Sequence, residues 1–95
     1  MHAVVGMWDM DLALKEGQDE ALPGIMEGVR RRPGFVHGYW TSDVEDPSVN
    51  VSFVVWESRE RAEEFRQSVL GNAAAQLQAG IRNKGLRIVE VDASA

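Results

Sequence analysis

Cysteine is absent from this 95-residue chain. That excludes disulfides, thiolate nucleophiles and thiolate metal ligands together. Histidine occurs only at His2 and His37, far apart in sequence with no carboxylate cluster between them, so no metal site is expected. No apolar run approaches the roughly 18 residues of a membrane span. No basic segment followed by an apolar one opens the chain, so a signal peptide is not expected either. Positive charge is in short supply, with 10 Lys and Arg against 15 Asp and Glu and a net charge of −5. A nucleic-acid binder would normally carry a basic face to neutralise phosphates. The one dense basic run, Arg30-Arg31-Arg32, falls at a predicted helix C-terminus, where it complements the helix dipole. Glycine spacing matches neither a dinucleotide fingerprint nor a phosphate loop. The expectation is a cytoplasmic protein with no cofactor and with neither a nucleic-acid nor a membrane partner.

What is present is a regular alternation of strand and helix patterns within one domain, 1–95. His2 to Met10 is rich in β-branched and aromatic residues and reads as a strand. Asp11 to Lys15 is a connection of undefined shape. Over Glu16 to Arg32, Leu22, Ile25, Met26 and Val29 recur at helical spacing and form one apolar stripe. Pro23-Gly24 falls inside this helix and predicts a kink, or a regular part beginning near Pro23. Pro33-Gly34 stops it. Phe35 to Ser42 and Val49 to Trp56 read as strands joined across the turn residues Asp43 to Ser48. Ser58 is a candidate N-cap for a second helical region that carries Ala62, Phe65, Val69, Leu77 and Ile81 and is interrupted at Gly71-Asn72. Leu86 to Asp92 reads as the last strand, and Ala93 to Ala95 as a loose tail.

The order is β-α-β-β-α-β. Right-handed crossovers place the first and third strands side by side in the centre of the sheet. The predicted class is α+β, a ferredoxin-like fold with a four-stranded antiparallel sheet and both helices on one face. The central strands are apolar on both sides, at Ala3, Val4, Val5, Met7 and Trp8 and at Phe53 to Trp56. Helices cover only one face, so the other predicts a homodimer with two sheets packed face to face.

Seven aromatics, Trp8, Phe35, Tyr39, Trp40, Phe53, Trp56 and Phe65, lie on predicted strands or on the helix facing them. Burial preference alone accounts for such a set as core and interface. Flat walls carrying single hydrogen-bonding groups also suit a planar aromatic ligand. His37 falls inside a strand, with Phe35 and Tyr39 read as neighbours on its face. A neutral imidazole there could accept a phenolic proton or serve as an interface residue. Arg66, Asn72, Gln76 and Arg82 are the polar candidates of the second helical region. No serine has a matched base.

Arg32-Pro33-Gly34-Phe35-Val36, then Gly38-Tyr39-Trp40 and Asp46-Pro47, and then Val54-Val55-Trp56-Glu57-Ser58 with Glu60, Ala62 and Phe65, resemble the antibiotic-biosynthesis-monooxygenase-like branch of the dimeric α+β barrel superfamily. The likeness covers nearly the whole chain in element order. It implies a dimer with a pocket between the sheet and helices of each subunit. It also implies an oxygenase that needs neither metal nor flavin and oxidises a phenolic, polyketide-like or quinol substrate. By the same resemblance Tyr39, Trp40, Trp56 and Phe65 would bind substrate. Asn72 or Arg66 would be the polar contact and His37 the proton acceptor. The alternative is a non-catalytic dimeric protein that binds small molecules in the same pocket. Relatives that degrade haem bind its iron through a histidine of the second helix, and this chain has none from Ser58 to Arg82.

Overall fold

A computed structural model describes residues 1–95. The strands are β1 (His2–Met10), β2 (Phe35–Ser42), β3 (Val49–Trp56) and β4 (Ile81–Glu90). The helices are α1 (Lys15–Arg30), α2 (Arg59–Leu70) and α3 (Ala73–Gln78), and a 3-10 turn at Leu12–Leu14 leads into α1. The sheet order is β2-β3-β1-β4, antiparallel throughout, so the first and third strands are central as the crossover rule requires. No helix is long and apolar enough to cross a membrane.

The first three strands begin and end where the sequence pattern puts them. The fourth starts earlier than predicted. Gly80 takes φ +75 directly after α3, a conformation that favours glycine, and Ile81 to Lys84 then join the ladder beside β1. Ile81 and Arg82 are therefore strand residues and not helical ones. The helical period read across Leu77 and Ile81 fails because this glycine reverses the chain between them. α1 likewise starts at Lys15 and contains Pro23 within it. Pro23 has no N–H to offer the carbonyl of Asp19, and its exposed position avoids burying that unmatched group. Ser58 caps α2 as predicted, its hydroxyl accepting the N–H of Arg61 at 3.2 Å.

The packed core lies under α2. Val4, Val54, Trp56, Ala62, Leu86 and, from α1, Val29 are buried together. Trp56 is fully buried, edge-on to Phe35 at 5.9 Å and tilted against Phe65 at 4.9 Å. α2 packs on β1, β3 and β4, whereas α1 makes its main contacts with β2 and the 3-10 turn. Two points hold α1 in place. At its N-terminal end the buried amide of Gln18 donates to the carbonyls of Asp11 and Ala79, at 3.0 and 2.9 Å. Toward its C-terminal end Val29 is inserted in the core. Between them α1 stands off the central strands, leaving a space underneath.

Candidate active site

That space is a cavity of about 480 Å³ between α1, the sheet and the α2–α3 segment. Its volume falls within the range of small-molecule sites, roughly 300–1,000 Å³. Leu22, Ile25 and Val29 of α1 look into it, together with the bare backbone of Gly24 and Gly28. Ile25 remains 47% exposed, so the cavity opens to solvent.

Two tryptophans of the sheet line the cavity, Trp8 and Trp40. Each follows a glycine by two residues on the same strand face. A Cβ at Gly6 would lie 2.5 Å from Nε1 of Trp8 and 2.6 Å from Oγ of Ser52. One at Gly38 would lie 3.2 Å from the ring of Trp40. The Trp8 indole thus occupies space that a side chain at residue 6 would take, and the Trp40 ring crowds the corresponding space at residue 38. Ser52 pairs with both Gly6 and Trp40 in the ladders, and its Oγ accepts the Trp8 indole N–H at 2.9 Å. The serine hydrogen remains available to a ligand.

The helices supply the remaining lining. Phe65, Ser68 and Val69 come from α2, and Asn72 and Gln76 from the break and α3. The Gln76 amide donates to the carbonyl of Val69 at 3.0 Å. The Asn72 side chain has no hydrogen-bond partner in the chain and does not cap α3, although it occupies the N-cap position. Its amide is free to meet a ligand.

The proposed site residues separate on this geometry. Trp40, Phe65 and Asn72 line the cavity. Trp56 stands behind it in the core. Arg66 lies on the other side of α2, where its Nε donates to the carbonyl of Leu86 at 3.1 Å and Nη1 pairs with Glu63 at 3.2 Å. The strand-face assignment of His37 needs correction. Phe35 pairs with Trp56, but His37 already pairs with Val55, so an irregularity at Val36 breaks the alternation. Phe35 turns into the core, while His37 and Tyr39 occupy the sheet face away from the helices, with rings 5.4 Å apart. Arg82, read as helical, pairs on β4 with Asp9 at 3.2 Å.

Sequence reasoning gave no site role to Trp8, Ser52 or Gln18. The repeated Gly-x-Trp at Gly6-Met7-Trp8 and Gly38-Tyr39-Trp40 is the signal that would have found the first. Gln18 occupies the same helical stripe as Leu22, Ile25 and Val29.

No group of three histidine, aspartate or glutamate side chains is placed to hold a metal ion. The resemblance drawn from the sequence extends to relatives that bind haem, so the fit of that group can be tested on the residues present. Neither histidine lines the cavity. His2 sits at the start of β1 with Nδ1 buried and unpartnered, and His37 lies on the opposite sheet face. The cavity therefore lacks the imidazole that would ligate a porphyrin iron.

A four-stranded antiparallel sheet in this order, with helices over one face and a cavity beneath them, defines the ferredoxin-like α+β class. Within that class the model of the family described as antibiotic biosynthesis monooxygenase matches residues 1–79, and the chain belongs to that family. SnoaB, a cofactor-independent oxygenase from Streptomyces nogalater, resembles it in a variant form with a TM-score of 0.75 and 17% identity, over 98% of this chain and 94% of that one. Rv0793 from Mycobacterium tuberculosis gives a TM-score of 0.71 and 16% identity over 99% and 98% of the two chains. MhuD, in a variant with two manganese protoporphyrin IX bound per active site, gives 0.71 and 13% over 100% and 98%. At these identities the likeness establishes the fold. Comparison with curated proteins gives no match.

Proposed function

We propose that this chain is an oxygenase that oxidises a planar phenolic aromatic without a bound metal or flavin. The observation that supports it most directly is the cavity itself, which the indoles of Trp8 and Trp40 and the ring of Phe65 line together with Ser52, whose hydroxyl hydrogen is free, and Asn72, whose amide has no partner in the chain. An anthrone-type substrate supplies all the electrons. Its ring methylene becomes a carbonyl, one atom of O₂ enters the ring and the other leaves as water. The protein's task is to favour the deprotonated, electron-rich form that reacts with oxygen. The Ser52 hydroxyl and the Asn72 amide would donate to the developing oxyanion, and the apolar walls would limit water around it. Membership of the family and the likeness to SnoaB support the same reading.

The test is oxygen uptake with a panel of anthrones and hydroquinones, using protein dialysed against chelator and given no flavin. Uptake that depends on both protein and substrate is expected. Its absence across the panel overturns the oxygenase reading.

One observation favours the alternative of a binding protein. No histidine lines the cavity, and its only carboxylate, Asp19, is held by Lys15 at 3.0 Å. A non-catalytic binder would quench tryptophan fluorescence with the same aromatics and consume no oxygen.

The assembly in this proposal is a homodimer through the open sheet face. Met7, Tyr39 and Val89 lie on it, at 42%, 61% and 38% exposure, together with Val5, Val51 and Phe53. Only 10 of 95 residues are buried in the lone subunit, which leaves a small core for an apolar sheet to rest on. A second copy covers this surface at the least cost.

A further inference from the structure

The three charged side chains that line the cavity are Lys15, Asp19 and Arg32. Lys15 and Asp19 neutralise each other at 3.0 Å. Arg32 has no carboxylate partner. Its nearest polar contact is a long one, Nη1 to the Ser68 hydroxyl at 3.4 Å. The rest of the basic run is accounted for differently, since Arg30 and Arg31 both pair with Glu27, at 3.4 and 2.9 Å. The run therefore divides. Two arginines remain on the outside of the helix end, and the third turns toward the cavity. There the Arg32 guanidinium lies 5.8 Å from the centre of the Phe65 ring, which is itself a cavity wall. A planar cation beside an aromatic wall, with most of its five donors free, is built to receive a planar anion.

We propose that Arg32 is a specificity-determining residue of the cavity and that the ligand is an aromatic acid, a flat ring system bearing a carboxylate. The inference rests on the reading of the cavity as an aromatic site. A carboxylate suits Arg32 better than the phenol does. An unperturbed phenol, with a pKa of about 10, is neutral at physiological pH, whereas a carboxylate is charged throughout that range. The guanidinium fork also matches two carboxylate oxygens at once. The acid group would anchor one edge of the ring beside Phe65 and Ser68, leaving the oxidisable edge to the Ser52 and Asn72 region.

The test is fluorescence titration with a matched pair, anthracene-9-carboxylate and anthracene-9-carboxamide, on the wild-type chain, Arg32→Gln and Arg32→Lys, with thermal unfolding as a folding check. The wild type should bind the carboxylate at least tenfold more tightly than the amide. Arg32→Gln should weaken the carboxylate at least tenfold more than the amide and so remove that preference, and Arg32→Lys should restore it in part. Equal affinity of the wild type for both compounds, or an equal loss of both in Arg32→Gln, overturns the role of Arg32 and leaves the aromatic site standing. Binding of neither compound overturns both.

Discussion

Trp8 and Ser52 meet diagonally across β1 and β3, indole N–H to hydroxyl at 2.9 Å, above the bare Cα of Gly6. The hydrogen bond exists because residue 6 has no side chain. Gly6→Ala would put a methyl carbon 2.5 Å from Nε1 and 2.6 Å from Oγ, so the ring must leave or the strands must part. Destabilisation of about 1–3 kcal/mol is expected, in the range of overpacking substitutions. Urea unfolding measures the loss, and a red shift of tryptophan emission would report the displaced indole. An unchanged midpoint would show that the ring is not held there.

Trp40 separates binding from stability. It lines the cavity and only flanks the buried core, in contrast to Trp56 at its centre. Trp40→Ala should weaken binding of an aromatic ligand by more than tenfold while moving the unfolding midpoint less than Trp56→Ala does, for which about 3–5 kcal/mol is typical. Equal effects of Trp40→Ala on binding and stability would return Trp40 to a packing role.

Gln18 ties α1 to the turn before β4. Gln18→Leu keeps the bulk but leaves the carbonyls of Asp11 and Ala79 without its amide. The Asp11 carbonyl keeps the Leu14 N–H at 3.0 Å, so the loss falls mainly on the half-buried Ala79 carbonyl and about 1 kcal/mol is expected. Hydrogen exchange should quicken first in the N-terminal half of α1. Uniform exchange along the helix would argue against a local tie.

Acid should loosen the β2–β3 turn. The backbone N–H groups of Asp46 and Glu45 donate to the Asp43 carboxylate at 3.0 and 2.8 Å and hold its pKa below the ordinary 3.8. A lowered folded-state pKa means stability that is fully present above the ordinary value and lost as pH falls through the folded one. Asp9, through its hydrogen bond from Arg82 and the nearby Lys84, and Glu63, through Gln67 and then Arg66, act in the same direction. Asp43→Asn keeps an acceptor oxygen and removes the charge. The fall in urea midpoint between about pH 7 and about pH 3 should be smaller in the variant than in the wild type. Parallel falls would assign the acid sensitivity elsewhere.

The proposed partner-facing surface has a direct probe in Tyr39, 61% exposed on the face opposite the cavity. Tyr39→Glu should leave the subunit folded and lower the sedimenting mass from two chains to one. A wild-type chain that sediments as one subunit at micromolar concentration would end the dimer proposal.

The sequence carried the fold further than the site. Strand limits at His2–Met10, Phe35–Ser42 and Val49–Trp56 were legible because apolar runs there end at turn residues. Trp40, Phe65 and Asn72 were named as site candidates through the family resemblance, and all three line the cavity. His37 was misplaced because alternation along β2 was assumed unbroken, and a register irregularity of one residue leaves no compositional mark. Arg32 was read with its two neighbours as a dipole partner. Only the ion pairs to Glu27 show that two of the three are used and one is left over. Gly80 escaped notice because an alanine-rich helix and a following strand merge smoothly in hydropathy, and the positive φ that divides them is a backbone property.

α1 is pinned by Gln18 at one end and Val29 near the other, and over the stretch between them it carries a proline without an N–H and two glycines whose missing side chains would have met nothing. A beam supported in this way bows at mid-span before it slips at its bearings. On that expectation the hollow beneath it would hold its length better than its height, and guests would be sorted by their outline in the plane of the ring more strictly than by their thickness.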